Sequence, residues 1–218
     1  WFDQTLAVRE DGVSVVGDGW GTTDGEARAN AREHAHRQLV EALRDELKGE
    51  IPYDFLVASR DEVAEEAWGP VVERFVRQSK KLGGLQAGED ALFVESASRR
   101  RRVVQYTLPR DAWDAMVAKY SASARFRGIR VAVAFPTLAS RMGERAELVV
   151  VDTDSWMRSA NPGDLVLSVG GRGVYSVQDF TEQTRTQWDQ LSPGRSLKVA
   201  VSANGLERDL DLRKPVPA

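Results

Sequence analysis

The segment VVGDGWGTTDGEARANAREHAHRQLVEAL, residues 15–43, limits the possible folds more than any other. Glycines stand at 17, 19 and 21, every second residue of a run that alternates like a strand. A stripe follows at Ala27, Ala31, Ala35, Leu39, Leu43 and Leu47, spaced like one face of a helix. The strand is expected to begin after an Asp11–Gly12 turn and to end at Gly17. Thr23, with Glu26 three residues on, makes a capping box that starts the helix. Small residues in the first half of this helix let it lie close against a sheet. A phosphate-cradling loop fails on spacing. The dinucleotide pattern needs G-x-G-x-x-G, but the third glycine here is Gly21, one position early. A P-loop needs lysine before its Ser/Thr, and Thr22–Thr23 has none.

A strand ending in G-x-G-x-G, followed by alanines every four residues, resembles the N-terminal part of a family of bacterial envelope lipoproteins and flagellar-assembly proteins. The resemblance covers about residues 10–48. It implies an extracytoplasmic, assembly-type role and brings no catalytic residues. The chain begins at Trp1, as expected of a processed or trimmed product, so a signal peptide or lipid anchor would lie before it. The 218 residues suit one large domain or two small ones, and 42% hydrophobic residues can supply a core. A net charge of −3 gives no long-range field for nucleic acid or an anionic membrane. No apolar run reaches the length of a membrane span. The absence of cysteine excludes disulfides, thiolate zinc sites and a cysteine nucleophile, and no cofactor is expected.

DEVAEEAWGPVVERFVRQSKKLGG, residues 61–84, predicts a second amphipathic helix, kinked at Pro70 and stopped after Lys80–Lys81. ALFVESAS and RVVQYTLP predict a strand pair around Arg99–Arg102. Four consecutive arginines are read as a solvated hairpin tip or edge strand, where charge blocks aggregation, rather than as a nucleic-acid contact. RDAWDAMVAKY predicts a short helix burying Trp113, Met116, Val117 and Tyr120. Residues 1–120 thus read as an α+β domain, a small antiparallel sheet with helices on one face. SASARFRG, 121–128, is small and polar and reads as the junction to a second domain, 121–218.

After the junction come IRVAVAF, AELVVVDT and GDLVLSVGGRGV as strands, SVQDFTEQTRTQ as a helix, and a final hairpin closed at Asn204–Gly205. This predicts a small β-barrel or sandwich with one long flanking helix. Gly163–Asp164 before an apolar strand, VGGRGV, the SVQDF helix start, Pro193–Gly194 and the last hairpin resemble a PDZ domain of the bacterial HtrA-like type, over about 122–214. The resemblance implies that an extended peptide, usually its C-terminal end, adds as a strand to an open sheet edge. It places the groove between the second strand and the long helix. The loop Phe126-Arg127-Gly128-Ile129 would hold the terminal carboxylate, with Arg127 departing from the family's apolar residue. Ile129, Val131 and Val133 would form the strand wall, and Val177, Thr181 and Thr184 the helix wall. Phe180 would belong to the core.

No catalytic pattern stands out. His34 and His36 are two apart on a helix and point to different faces, whereas a zinc-binding HExxH pair is four apart. No GxSxG nucleophile turn occurs. The sequence therefore reads as a non-catalytic module that recognises a polypeptide tail or extended strand in the bacterial envelope. Two alternatives stand beside it. One is an assembly scaffold that binds sister subunits and leaves the groove unused. The other is a regulatory fragment of a larger PDZ-containing protease.

Overall fold

The computed structural model describes residues 6–47, 76–77, 80, 84–135, 147–157, 159–203 and 205–217. The described residues form two compact units, divided after residue 118. The class is α+β, with two antiparallel sheets and three helices among the described residues.

In the first unit, β1 (Leu6–Val8), β2 (Gly12–Gly21), β3 (Gln86–Ser96) and β4 (Arg99–Pro109) form a sheet in the order β1-β2-β4-β3. Helix α1 (Asp24–Glu46) packs on β2 and β4. Strand β2 does not stop at Gly17 but carries all three alternating glycines in its ladder with β4. The reason is contact with the helix. A Cβ on Gly17 would lie 2.0 Å from the Ala31 carbonyl oxygen. One on Gly19 would lie 2.0 Å from the Ala31 nitrogen and 2.2 Å from the Ala27 oxygen. The glycine column meets the alanine stripe, and backbone packs on backbone. Ala27, Ala31, Ala35, Leu39, Leu43 and Leu47 are all fully buried. Thr23 caps α1 by accepting from the Glu26 amide at 3.1 Å. The Glu26 carboxylate reaches back one residue further than expected, to the Thr22 amide and hydroxyl at 2.8 and 2.6 Å.

The arginine run starts at a hairpin tip, where exposed Arg99 pairs with Ser96 across a two-residue turn, but it is not an edge. It lies on β4, an interior strand between β2 and β3. Interior placement is tolerated because partners surround it. Arg101 forks onto Asp18, at 3.0 and 2.6 Å. Arg102 forks onto Asp90, at 2.7 and 2.8 Å, and also bonds Asp24. The Arg102 hydrogen bonds hold the Asp90 carboxyl below the ordinary carboxylate range. The helix read over 61–84 lies almost wholly outside the described residues.

Helix α2 (Arg110–Ser121) buries Trp113, Met116 and Tyr120, as its spacing predicts, and leaves Val117 half-buried. The second unit contains β5 (Ser123–Phe126), β6 (Ile129–Val133), β7 (Leu148–Thr153), β8 (Leu165–Val169), β9 (Arg172–Gly173), α3 (Val177–Gln190), β10 (Ser196–Ala203) and β11 (Leu206–Arg213). Its sheet runs β11-β10-β8-β7-β6-β5, with β9 on β8. The sheet stays open, with β11 and β5 as its ends, rather than closing into a barrel. The segment read as a junction is itself strand β5. The last hairpin pairs Ala203 with Leu206; Asn204 lies outside the described residues. Asp164 is buried, accepts from the Asn161 amide at 2.9 Å and pairs with Arg208 at 2.5 Å. No helix among the described residues is long and apolar enough to cross a membrane.

The contact between β2 and α1 makes two glycines opposite in behaviour. Gly19→Ala forces a methyl into helix backbone and is expected to destabilise the protein by about 3 kcal/mol or more. Gly25→Ala, inside α1 with nothing within 4 Å of the added carbon, is expected to stabilise it by about 0.5–1 kcal/mol. Urea midpoints of the two variants check both signs.

Candidate functional site

Strand β5 is only four residues long, and three devices hold it at the end of its sheet. The first is pairing with β6 from Ser123–Ala132 to Phe126–Ile129. The second is Arg125, which reaches across to Asp154 at 2.6 Å and to Asp152. The third is an aromatic contact: Phe126 meets Trp188 of α3 edge-on, ring centres 5.5 Å apart at 84°. Such a pair contributes about 1 kcal/mol beyond the area it buries.

The turn joining β5 to β6 has two residues, Arg127 (φ 45°) and Gly128 (φ 86°). Both lie in the left-handed region, as the mirror-image hairpin turn requires. Gly128 also has no room for a side chain, because a Cβ would come within 2.5 Å of the Trp156 ring. Its carbonyl accepts from the Asp154 amide at 2.7 Å. For Arg127 the conformation costs about 1–2 kcal/mol. Its guanidinium lies 4.3 Å from the centre of the Trp188 ring, a cation–π contact that returns part of that cost.

Opposite β5 stands α3. Ser176 caps it by accepting from the Asp179 amide at 3.0 Å, and Asp179 accepts from the Tyr175 amide at 3.3 Å. Phe180, Thr184 and Trp188, one turn apart, are its buried row. At the other end, the Lys214 ammonium donates to the Trp188 carbonyl at 2.7 Å, a cation placed where the helix dipole is negative. A groove of about 290 Å³ separates β5 from α3. Ala124, Arg125 and Phe126 line one side; Phe180, Thr181, Thr184, Arg185, Trp188 and Asp189 line the other. The Thr181 and Thr184 hydroxyls donate to their own helix, to Val177 at 2.8 Å and Phe180 at 2.6 Å. That leaves neither hydroxyl hydrogen for a ligand.

The structure thus brings together Phe126, Thr181 and Thr184 of the expected site, with Arg127 beside them on Trp188. Phe180, read as core, is buried and also lines the groove. Val177 is half-buried and off the groove lining. Ile129, Val131 and Val133 are buried and do not line it. The physical reason is that β6 has no open edge: β5 pairs on one side and β7 on the other. The groove lies one strand further out than the sequence placed it. Trp188 and Arg185 were missed, although Trp188 continues the Phe180–Thr184 spacing by one turn. The expected carboxylate loop, 126–129, is a closed two-residue turn.

In the first unit a depression of about 440 Å³ is lined by Asp18, Trp20, Asn30, Glu33, His34 and Arg37. Its charges are already answered, Asp18 by Arg101 and Glu33 by Arg37, each at 2.6 Å. His34 Nδ1 accepts from the Asp18 amide at 3.0 Å, so its neutral ring carries the proton on Nε2. His36 Nδ1 lies 2.8 Å from the Arg32 carbonyl and donates to it, so its proton is on Nδ1. The two rings carry opposite tautomers and serve separate packing roles. Burial pushes the His36 pKa down from an ordinary 6.5 to about 4.

Comparison with known proteins adds little. No family model matches the chain, and no curated protein matches it. Among solved structures, it is similar to the HtrA-type protease AlgW with a decapeptide, at 22% identity and a TM-score of 0.31. The match covers 58% of this chain and 41% of that one, less than half its length.

Two predictions follow from this geometry. Trp188→Ala removes the shared anchor of Phe126 and Arg127 and is expected to cost about 3–5 kcal/mol, with faster amide exchange along 123–126. Equal exchange in variant and parent would show that β5 does not depend on Trp188. The second concerns acid. Because His36 titrates lower folded than unfolded, the unfolded chain takes up the proton first. Stability is full above pH 6.5 and falls as pH drops from there toward about 4. Between pH 7.5 and 5 the loss is expected to be roughly 1–2 kcal/mol, and His36→Gln should flatten it.

Proposed function

We propose that this protein is a non-catalytic interaction module of the bacterial envelope that takes an extended polypeptide as an added strand on the outer edge of β5. One observation carries this reading. Among the described residues β5 ends its sheet, and its outer side faces a groove whose far wall is a helix. Backbone groups of an edge strand supply register and affinity to an added strand, and side-chain pockets beside it supply selectivity. The groove is lined by Phe126, Phe180 and Trp188 with two hydroxyl-satisfied threonines, a surface suited to alternate side chains of such a strand. The closed turn at 127–128 favours an extended internal segment over a free C-terminus, since that loop is already folded onto its own strand. The sequence resemblance to PDZ domains supports the same mode of binding.

A second reading is a scaffold. It is favoured by β5 itself, which pairs along the β6 edge that the resemblance assigns to a ligand. In that reading the chain fills its own site.

Titration of the ¹⁵N-labelled full chain with blocked, alternating Val/Thr peptides separates the two. Strand addition predicts amide shifts at 123–126 and 181–188. Thr181→Trp fills the groove and is expected to abolish those shifts while the protein stays folded. Silence at both segments sinks strand addition in favour of the scaffold.

A further inference from the structure

We propose that this groove selects strands carrying an acidic side chain near the Phe126 end, held by Arg127 and Arg185 beside Trp188. The inference rests on the strand-addition reading above and names the chemistry of its ligand.

The arginines of this chain divide by partner. Arg101, Arg102, Arg125 and Arg208 each spend their guanidinium on a carboxylate. Arg127 and Arg185 have no carboxylate partner among the described residues, and both are exposed. Arg185 lines the groove next to Trp188. Arg127 sits in the turn with its guanidinium over the Trp188 ring, 4.3 Å from the ring centre. Stacking on an indole holds a guanidinium without using its N–H donors, which stay available for a planar acceptor. A carboxylate is that acceptor, because two parallel N–H groups match its two oxygens.

The surrounding charges are mixed, and their balance favours an anion at this end. Asp189 lines the same groove and opposes an incoming acid. Arg127 and Arg185 outnumber it, while the Lys214 ammonium is spent on the Trp188 carbonyl and the negative end of the helix. Asp152 and Asp154 are engaged by Arg125 on the sheet face. The first turn of α3 contributes nothing here, since Trp188 and Arg185 lie in the helix's C-terminal half. Lysine at the same place in a ligand strand would leave both guanidiniums without an acceptor, and glutamine would offer one neutral oxygen in place of the two charged ones.

The test uses the full chain and three probes: acetylated, amidated heptapeptides of alternating valine and threonine, with a central Glu, Gln or Lys. Blocked ends keep a terminal carboxylate out of the comparison. The Glu peptide is expected to bind about fivefold tighter than the Gln peptide, with the Lys peptide weakest. The Glu advantage should shrink as salt rises from about 0.05 M to about 0.5 M, while Gln binding holds. Arg127→Gln combined with Arg185→Gln should lose the Glu preference, so that the Glu and Gln peptides bind this variant alike. Arg185→Gln alone, on an exposed helix position, should lose part of it and stands in if the double variant misfolds. Equal affinity for Glu and Gln peptides overturns acidic selection and leaves strand addition intact. Failure of all three peptides to bind overturns strand addition and this inference together.

Discussion

An open antiparallel sheet cannot satisfy its own borders. Each end strand carries backbone N–H and C=O groups that point away from the ladder, and something must answer or guard them. Both sheets of this protein are open, so the requirement recurs in each. Strand β1 meets it by being three residues long. Strands β3 and β11 carry acidic residues along their length, among them Glu89, Asp90, Glu95, Glu207, Asp209 and Asp211. Strand β5 is nearly as short as β1, at four residues, and carries the charged Arg125. It is small and polar at its start, anchored at its end, and set beside a helix that leaves a gap. Beside this short edge the fold has built a walled groove.

The anchoring of β5 shows how a weak strand is made definite. Four residues of the sequence Ser-Ala-Arg-Phe have little strand preference, and their ladder alone would be marginal. Arg125 ties the strand to Asp152 on β7 and to Asp154 just beyond it, and Phe126 ties it to an indole on α3. Trp188 then serves three neighbours at once. It receives Phe126 on its edge and Arg127 over its face, and its carbonyl receives Lys214. A strained turn residue and an edge strand share the Trp188 side chain, and the helix terminus uses its backbone carbonyl, which couples the geometry of the groove to that single position.

Much of the architecture was legible because its determinants are local. The alanine stripe of α1, the Thr23 and Ser176 caps, the apolar runs of β7 and β8 and the alternation in β10 need only neighbours in sequence. What escaped reading depends on distant partners. Residues 121–128 resemble a linker in composition, and only Arg125's contacts with Asp152 and Asp154, 27 and 29 residues away, reveal a strand. The arginines at 99–102 resemble a solvated tip. Arg99 does lie at one, but Arg101 and Arg102 sit inside the sheet, held by Asp18 and Asp24, 83 and 78 residues back along the chain. The helix wall at Thr181 and Thr184 was readable from helical spacing. The strand wall was displaced by one strand, because whether an edge is already taken is a property of pairing and leaves no mark on the strand that is covered.

The glycine column of β2 has a consequence for how this protein can change over time. Three positions, 17, 19 and 21, press against helix backbone, which has no rotamers to yield. Substitutions elsewhere in a core can be absorbed by neighbouring side chains, but here there are none between the two elements. Descendants of this chain that keep α1 on this sheet must keep glycine at all three positions. The opposite face of α1 carries no such restriction. Its solvent-facing Ala29 and Arg32 can drift in charge and shape without moving the backbone beneath them. A lineage can therefore alter what the first unit presents to its surroundings while the spacing of helix and sheet stays fixed.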